Sequence, residues 1–398
     1  MPSSCNPAYY ELGAQGSAIR ELFAYGQARK AQIGADKVFD FSLGNPSVPA
    51  PAQVKDAIIE ALEEPSLELH GYTPAQGLVS TRTAIAAKLN RDHGTAYTAA
   101  DLYLTMGAAA ALDASINAVC EPGDEVIVIA PFFPEYRMWI ENARCTCVLS
   151  PADPATMFPV AADVAARITE RTRAVIVNSP NNPTGAVYPA EVLAELAEVL
   201  RAASQKNGRT VYLIADEPYR EIAYAGVEVP WIPSIYADTL VCYSYSKSLS
   251  LPGERIGYVL VPPTTPAHKE VYAAVCGAGR ALGYVCAPSL IQKVAEKCCD
   301  LPSDVAAYAE NRDLLYGSLT AMGYECVEPR GAFYLWVRAL EPDAKAFSLR
   351  ARDNHELLLV PSDDFGMGGW VRISYCVAKE VIEGSLPAFR ALYDEYQA

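Results

Sequence analysis

The chain has 398 residues, 51% of them hydrophobic and 20% charged, and carries a formal net charge of −15 at pH 7. That length and composition allow a large core and predict two domains of ordinary size. The negative excess repels nucleic-acid phosphates and anionic membrane surfaces, so neither is an expected partner, but a small site inside an acidic whole can still be locally basic.

The opening MPSSCNPAYYELGAQG has no basic start followed by an apolar run, so no secretory signal is read there, and no stretch is apolar for long enough to span a bilayer. The first predicted helix is Ala18–Ile33. Short β-rich runs then recur at Leu102–Thr105, Glu125–Ala130, Ala174–Asn178, Val211–Ala215, Leu240–Tyr245 and Gly257–Val261. Several are unbroken apolar runs, as expected of strands buried on both faces. Helical patterns lie between them, among them Ala108–Val119 and Pro189–Gln205; Pro189 suits a first helical turn and Gly208 a stop. Strand alternating with helix predicts an α/β fold with a mostly parallel sheet flanked by helices. A long helical stretch, Ser303–Ala321, follows, then strand-like pieces at Ala332–Val337 and Trp370–Tyr375 and a last helix from Lys379. This tail reads as a smaller α+β unit. The expected division is a large domain at 45–275 and a small one built from 1–44 and 276–398.

The eleven cysteines include Cys145 with Cys147 and the pair Cys298 and Cys299, but no Cys-x-x-Cys. None of the four histidines (His70, His93, His268, His355) stands at metal-ligand spacing from a cysteine, so no metal site is expected. An odd count without a framework pattern fits reduced thiols, hence a cytoplasmic protein.

Ligands of open α/β sheets bind beyond the carboxyl ends of the strands. After the successive runs come Met106-Gly107-Ala108-Ala109 opening a helix, Pro131-Phe132-Phe133, Ser179-Pro180-Asn181-Asn182-Pro183-Thr184-Gly185, Asp216-Glu217-Pro218-Tyr219, and Ser246-Lys247. A small-residue turn into a helix leaves N–H groups for a phosphate, and Ser244, Ser246 and Arg255 can add hydroxyls and a bidentate cation. Phe133 offers a face for a ring, Asp216 can keep a ring nitrogen protonated, Asn182 and Tyr219 can bond a ring oxygen, and Lys247 can form an imine with an aldehyde. A phosphorylated aromatic aldehyde with a ring nitrogen is pyridoxal phosphate. Taken singly, each residue has a bland reading: Lys247 an exposed lysine, Asp216 a turn or cap, Asn182 to Gly185 a turn, Phe133 core, Ser246 a cap.

Together the segments resemble the class I/II pyridoxal-phosphate-dependent aminotransferases of fold type I, and in particular those like aspartate aminotransferase. The resemblance rests on Ser244–Gly257 (SYSKSLSLPGERIG), Asn181–Gly185 (NNPTG), Asp216–Tyr219 (DEPY), Phe41–Pro46 (FSLGNP), Gly71–Gly77 (GYTPAQG) and Trp370–Ser374 (WVRIS), in the family's order over nearly the whole chain. It implies pyridoxal 5'-phosphate as cofactor, with Lys247 as the Schiff-base lysine and proton shuttle, Asp216 as partner of the pyridine nitrogen, and Asn182 and Tyr219 as partners of the ring oxygen. It further implies a phosphate cup of Ser244, Ser246, Arg255 and the backbone of Ala108 and Ala109, with Phe133 stacked on the ring. Arg372 is then the clamp on the substrate α-carboxylate, helped by the backbone of Gly44, a fork that lysine would not reproduce. Tyr72 resembles a tyrosine that reaches the phosphate of a neighbouring subunit, which implies a homodimer.

One departure stands out. The phosphate turn reads Gly107-Ala108-Ala109-Ala110-Ala111, with no side-chain donor, and a lysine that binds the distal carboxylate in one branch of aspartate aminotransferases is absent at Ala109. Arg280 is a candidate to bind that carboxylate across the dimer, its bland alternative being an interface salt bridge. The expected activity is amino transfer between an L-amino acid and a 2-oxo acid by a ping-pong cycle, possibly aspartate/glutamate-type. The alternative is a carbon–sulfur β-lyase, since the same carbanion serves both. A regulator with a helix-turn-helix ahead of the fold and a catalytically dead scaffold are disfavoured, the first because the pattern starts within a few dozen residues, the second because the cofactor set is complete.

Overall fold

The computed structural model describes residues 4–14 and 18–397. Residues 1–3, 15–17 and 398, which belong to the two ends assigned above to the small domain, lie outside the described residues.

Thirteen strands occur among them: β1 Phe39–Asp40, β2 Leu102–Thr105, β3 Glu125–Ala130, β4 Thr146–Pro151, β5 Thr172–Asn178, β6 Tyr212–Asp216, β7 Thr239–Ser244, β8 Gly257–Leu260, β9 Cys326–Val327, β10 Tyr334–Arg338, β11 Leu357–Leu358, β12 Val360–Pro361 and β13 Trp370–Ser374. Seven form the main sheet in the order β2-β8-β7-β6-β5-β3-β4. From β7 to β4 all neighbours are parallel; β8 runs antiparallel to both β7 and β2. The fold is α/β with a mostly parallel sheet, as expected.

The unbroken apolar runs follow from coverage on both faces. Ile127, Ile129, Val175, Val177 and Leu213 turn one way, onto Leu193, Leu196 and Leu200 of helix Ala190–Asn207. Their neighbours Val126, Val128, Ala174, Ile176 and Ile214 turn the other way, onto Leu112 and Ile116 of helix Gly107–Val119. A strand packed on both sides has no polar face to alternate with. Pro189 proves to be the N-cap of helix Ala190–Asn207, not its first residue, and Gly208 ends it in the left-handed conformation at φ 64°.

The second sheet is antiparallel, in the order β12-β13-β10-β9, and has its own core around Phe333, Phe347 and Phe389. Helix Val305–Met322 covers it, started by Asp304, whose side chain accepts from the N–H of Ala307 at 3.3 Å. The N-terminal segment is tied to this sheet's side: β1 pairs in parallel with β11, and Arg29 Nε bonds Glu356 at 3.0 Å. Helix Ser289–Cys298, by contrast, packs on helices Ala52–Leu62 and Val79–His93 beside the main sheet. No described helix is long and apolar enough to cross a membrane.

Candidate active site

The strand ends place the chemistry. Asn178, last residue of β5, stands in register with Asp216, last residue of β6, and Asp216 with Cys242 of β7. Two residues beyond Cys242, Ser244 caps the one-turn helix Tyr245–Ser248 by accepting from the N–H of Ser246 at 3.2 Å, and that turn carries Lys247. From the second sheet, Tyr334 of β10 and Arg372 of β13 close the other wall. Between the walls lies a cavity of about 280 Å³, at the small-molecule end of the range for binding pockets.

The residues singled out from the sequence line this one cavity: Gly44, Ala108, Ala109, Phe133, Asn182, Asp216, Tyr219, Ser244, Ser246, Lys247, Arg255 and Arg372. Tyr72 and Arg280 do not. Both are exposed, Tyr72 at 95%, and no ion pair to Arg280 occurs among the described residues.

Lys247 Nζ donates to the carbonyl of Gly44 at 2.7 Å. Burial pushes its ammonium down to about 8, with the positive charges of Arg372 and Arg255 adding to the effect. Asp216 is buried; Tyr136 donates to its Oδ2, with Asn178 Nδ2 3.4 Å away, whereas Oδ1 has no partner. Burial raises this carboxyl to about 7, against the lowering effect of the Tyr136 hydrogen bond. A buried carboxylate oxygen left bare calls for a cationic donor.

Arg372 poses the converse demand. It is 2% exposed and has no carboxylate partner among the described residues. Nη1 donates to Asn182 Oδ1 at 3.1 Å and Nη2 to the Ser42 carbonyl at 2.6 Å, Nε is unpartnered, and the rings of Tyr334 and Phe365 flank the guanidinium at 4.7 and 5.3 Å. A buried guanidinium in this state is completed by an anion. Because Arg can only donate, it fixes Oδ1 of Asn182 toward itself and leaves Nδ2 as the free donor.

The Ser244 and Ser246 hydroxyls, both of buried residues lining the cavity, lie 2.6 Å apart. Arg255, held by the carbonyls of Pro252 and Met106 at 2.9 and 3.2 Å, extends over the start of helix Gly107–Val119. Gly107 has φ 81°, and a Cβ there would lie 2.8 Å from Arg255 Nη2, so glycine is what lets the guanidinium reach the free N–H groups. Alanine side chains in this turn offer no donor, which leaves the backbone, two hydroxyls and one arginine to hold a phosphate.

The residues present fit pyridoxal phosphate, which would offer a ring N–H to Asp216 Oδ1, an oxygen to Asn182 Nδ2 and Tyr219, a phosphate to the cup and an aldehyde to the amine of Lys247. Several residues of the site had been missed in the sequence. Tyr136 and Asn178 orient Asp216, Tyr334 bonds Tyr219 Oη at 2.8 Å, and Ile19, Leu43 and Trp139 form an apolar wall. Asn178 was legible as the last strand residue; the others carry no local signal.

Comparison with known proteins gives the same picture. The family model described as aminotransferase class I and II matches residues 36–386. An aspartate/prephenate aminotransferase of Thermus thermophilus is 32% identical over 87% of this chain and 88% of its own length. A valine–pyruvate aminotransferase of Mycobacterium tuberculosis is also 32% identical, over 87% and 89%. Among solved structures, an amino transferase from Eubacterium rectale is 53% identical with a TM-score of 0.97, covering 99% of this chain and 100% of that one. Thermus thermophilus aspartate aminotransferase with maleate is 30% identical with a TM-score of 0.83, covering 96% and 98%.

Proposed function

This chain belongs to the class I and II aminotransferases, which depend on pyridoxal phosphate, and from that premise we propose how its own residues divide the work and which substrates they take. The observation that carries the reading is a single cavity in which the Lys247 amine, with its pKa lowered, lies with an Asp216 oxygen that lacks a partner. When bound, pyridoxal phosphate supplies an aldehyde for the amino group and a cationic ring that draws off the electron pair left when the substrate α-carbon loses its proton.

The chain's part is to bind, orient and move protons. Asp216 Oδ1 accepts the ring N–H and so keeps the ring cationic. Asn182 Nδ2 and the Tyr219 hydroxyl donate to the ring oxygen, and Phe133 takes the ring face. Ser244, Ser246, Arg255 and the N–H groups of Ala108 and Ala109 hold the phosphate. Arg372, with the backbone of Gly44, clamps the α-carboxylate. Lys247 Nζ holds the proton taken from the α-carbon and returns it to the adjacent carbon position, which a base with pKa near neutrality does best. The apolar wall of Ile19, Leu43 and Trp139 keeps water from that transfer.

Uptake of cofactor by stripped protein is expected to accelerate about tenfold per pH unit below about 8 and to level off above it, because only the neutral amine of Lys247 attacks an aldehyde. Rates of absorbance change across that range test this; a flat profile would disconnect the amine's ionisation from uptake.

The working unit in this reading is a cytoplasmic homodimer. Tyr72 and Leu67, at 95% and 92% exposure, lie on one short stretch of chain and are unusual for large apolar side chains left to water. Tyr72 would complete the phosphate cup of a second copy, and Arg280 would enter that copy's substrate pocket. A monomeric mass by sedimentation would remove this part. We propose the division given above with one change: helix Ser289–Cys298 goes with 45–275, which carries the cofactor, and the rest of the two ends forms the small unit.

For the substrate, the names of several relatives support the aspartate/glutamate type. Within one subunit the side-chain wall of the cavity is apolar, so a distal carboxylate depends on Arg280 from the partner. Arg280→Ala is then expected to reduce kcat/KM for aspartate by about 10–100-fold, the worth of a charge-assisted pair, and to leave alanine nearly untouched. Equal losses would place Arg280 in the interface and favour small apolar substrates.

The decisive assay is a panel of amino acids with 2-oxoglutarate, followed by the cofactor's spectral change. The relatives named above are aminotransferases and do not favour the β-lyase. Release of pyruvate and ammonia from cystathionine without added oxo acid would revive it.

A further inference from the structure

Tyr334 stands where the two halves of the site meet. Its hydroxyl lies 2.8 Å from the Tyr219 hydroxyl, and its ring faces the Arg372 guanidinium at 4.7 Å. The same hydroxyl rests on Gly44, where any Cβ would collide with it, and the Gly44 carbonyl holds Lys247 Nζ. Tyr334 thus touches the ring-oxygen anchor, the carboxylate clamp and the backbone that steadies the amine. It is 2% exposed, and Phe333 and Tyr219 pack against its ring.

Counting protons gives this contact a direction. Burial raises both phenols, Tyr334 to about 12 and Tyr219 further, so each keeps its proton near neutrality. Two hydroxyls then share two protons, and only one of these lies between the oxygens. Either oxygen can be the donor while both face only each other. Once Tyr219 donates its hydrogen bond to an acceptor in the cavity, the proton between the oxygens has to be that of Tyr334. A hydroxyl that accepts one hydrogen bond donates a stronger one.

We propose that Tyr334 is a positioning residue: it donates to Tyr219 Oη, turns the Tyr219 proton toward the ring oxygen of the cofactor, and places this relay beside Arg372, where the substrate carboxylate arrives. The inference rests on the reading of Tyr219 given above. A stronger donor on a negatively charged ring oxygen would lower the proton affinity of the neighbouring nitrogen that Lys247 supplies, so loss of the Tyr334 hydroxyl would raise that affinity.

The test is a spectroscopic pH titration of the loaded enzyme. Tyr334→Phe keeps the ring against Arg372 and removes only the hydroxyl. It is expected to move the midpoint of the cofactor's visible absorption change upward by about half a unit to one unit. Tyr219→Phe is expected to move it further, and adding Tyr334→Phe to Tyr219→Phe to move it no more, since the route runs through Tyr219. A packing role would leave the midpoint in place. An unchanged or lowered midpoint in Tyr334→Phe, or an equal shift in both backgrounds, overturns the proposal. A wild-type protein that takes up no cofactor overturns it together with the reading of the site, whereas a wild type that titrates beside an identical Tyr334→Phe protein overturns this inference alone.

Discussion

Lys247→Ala protein is expected to fold, to bind pyridoxal phosphate without a covalent link, and to lose on the order of 10⁴–10⁶ in kcat/KM. The cavity is lined by no other lysine, so nothing within it can replace the amine. The side chain is held at its tip by a single bond to the Gly44 carbonyl, and the helical turn that carries it is closed by backbone bonds and the Ser244 cap. Removal of the chain beyond Cβ therefore leaves the scaffold in place and takes away both the attachment point and the proton carrier. Borohydride treatment followed by mass mapping checks this. Wild-type protein should carry cofactor fixed at position 247 and the variant none; cofactor fixed at another lysine of the variant would sink the assignment.

Asp216→Asn is expected to show the second large effect, and an opposite one on stability. In the loaded enzyme the amide cannot hold the ring nitrogen protonated. Breaking a buried charge pair costs about 3–5 kcal/mol, which corresponds to a loss of about 10²–10⁴ in rate. In the stripped protein the sign reverses. Burial raises this carboxyl from 3.8 to about 7, so the folded state holds its proton more tightly than the unfolded state does. The group is neutral in both states below about pH 4 and costs nothing there. As pH rises from 4 to 7 the unfolded chain ionises first, and the folded state carries a growing penalty that is complete above 7. The variant lacks this penalty. Stripped Asp216→Asn should therefore be more stable than stripped wild type at pH 8, on the order of 4 kcal/mol, with the gap closing toward pH 4. Denaturant melts at the two pH values measure it. A stripped variant less stable than wild type at pH 8 would mean that the bare Oδ1 is satisfied in a way the structure does not show. A gain in stability with a loss of activity is the usual mark of a group kept for function.

The two substitutions together describe the site's economy of charge. An acidic chain places three cations, Lys247, Arg255 and Arg372, around one cavity that holds Asp216. Among the described residues, Arg372 is buried without a carboxylate partner and Asp216 without a cationic one. In the reading proposed above each is completed from outside, Arg372 by an anionic substrate and Asp216 by a protonated ring.

Much of this was legible from the order of residues alone. Asp216 ends one buried apolar strand, and Asn182 and Lys247 lie within a few residues of the ends of two others; in a parallel sheet those ends share one edge, and strand period and sequence neighbourhood are both local properties. Other elements escaped notice for equally local reasons. β4 is an edge strand whose residues, Ser150 apart, are exposed or half-buried, so it lacks the apolar run that marks the central strands. Helix His268–Ala281 contains Gly277 and Gly279, poor helix formers, and Gly279 is needed there because Tyr103 leaves no room for a Cβ.

What the sequence determined, then, was the α/β class, the strand ends and the side chains set upon them. Only the tertiary structure decided which of those groups would be partnered: Tyr136 with Asp216 across 80 positions, Tyr334 with Tyr219 across 115, Arg372 with Asn182 across 190 and with the Ser42 carbonyl across 330. The reason is physical. A strand's hydrophobic period records which face is buried but not what lies against it; the Tyr136 contact needs a helix packed on the main sheet, and the Tyr334–Tyr219 and Arg372–Asn182 contacts form only when the second sheet docks on the strand ends of the first.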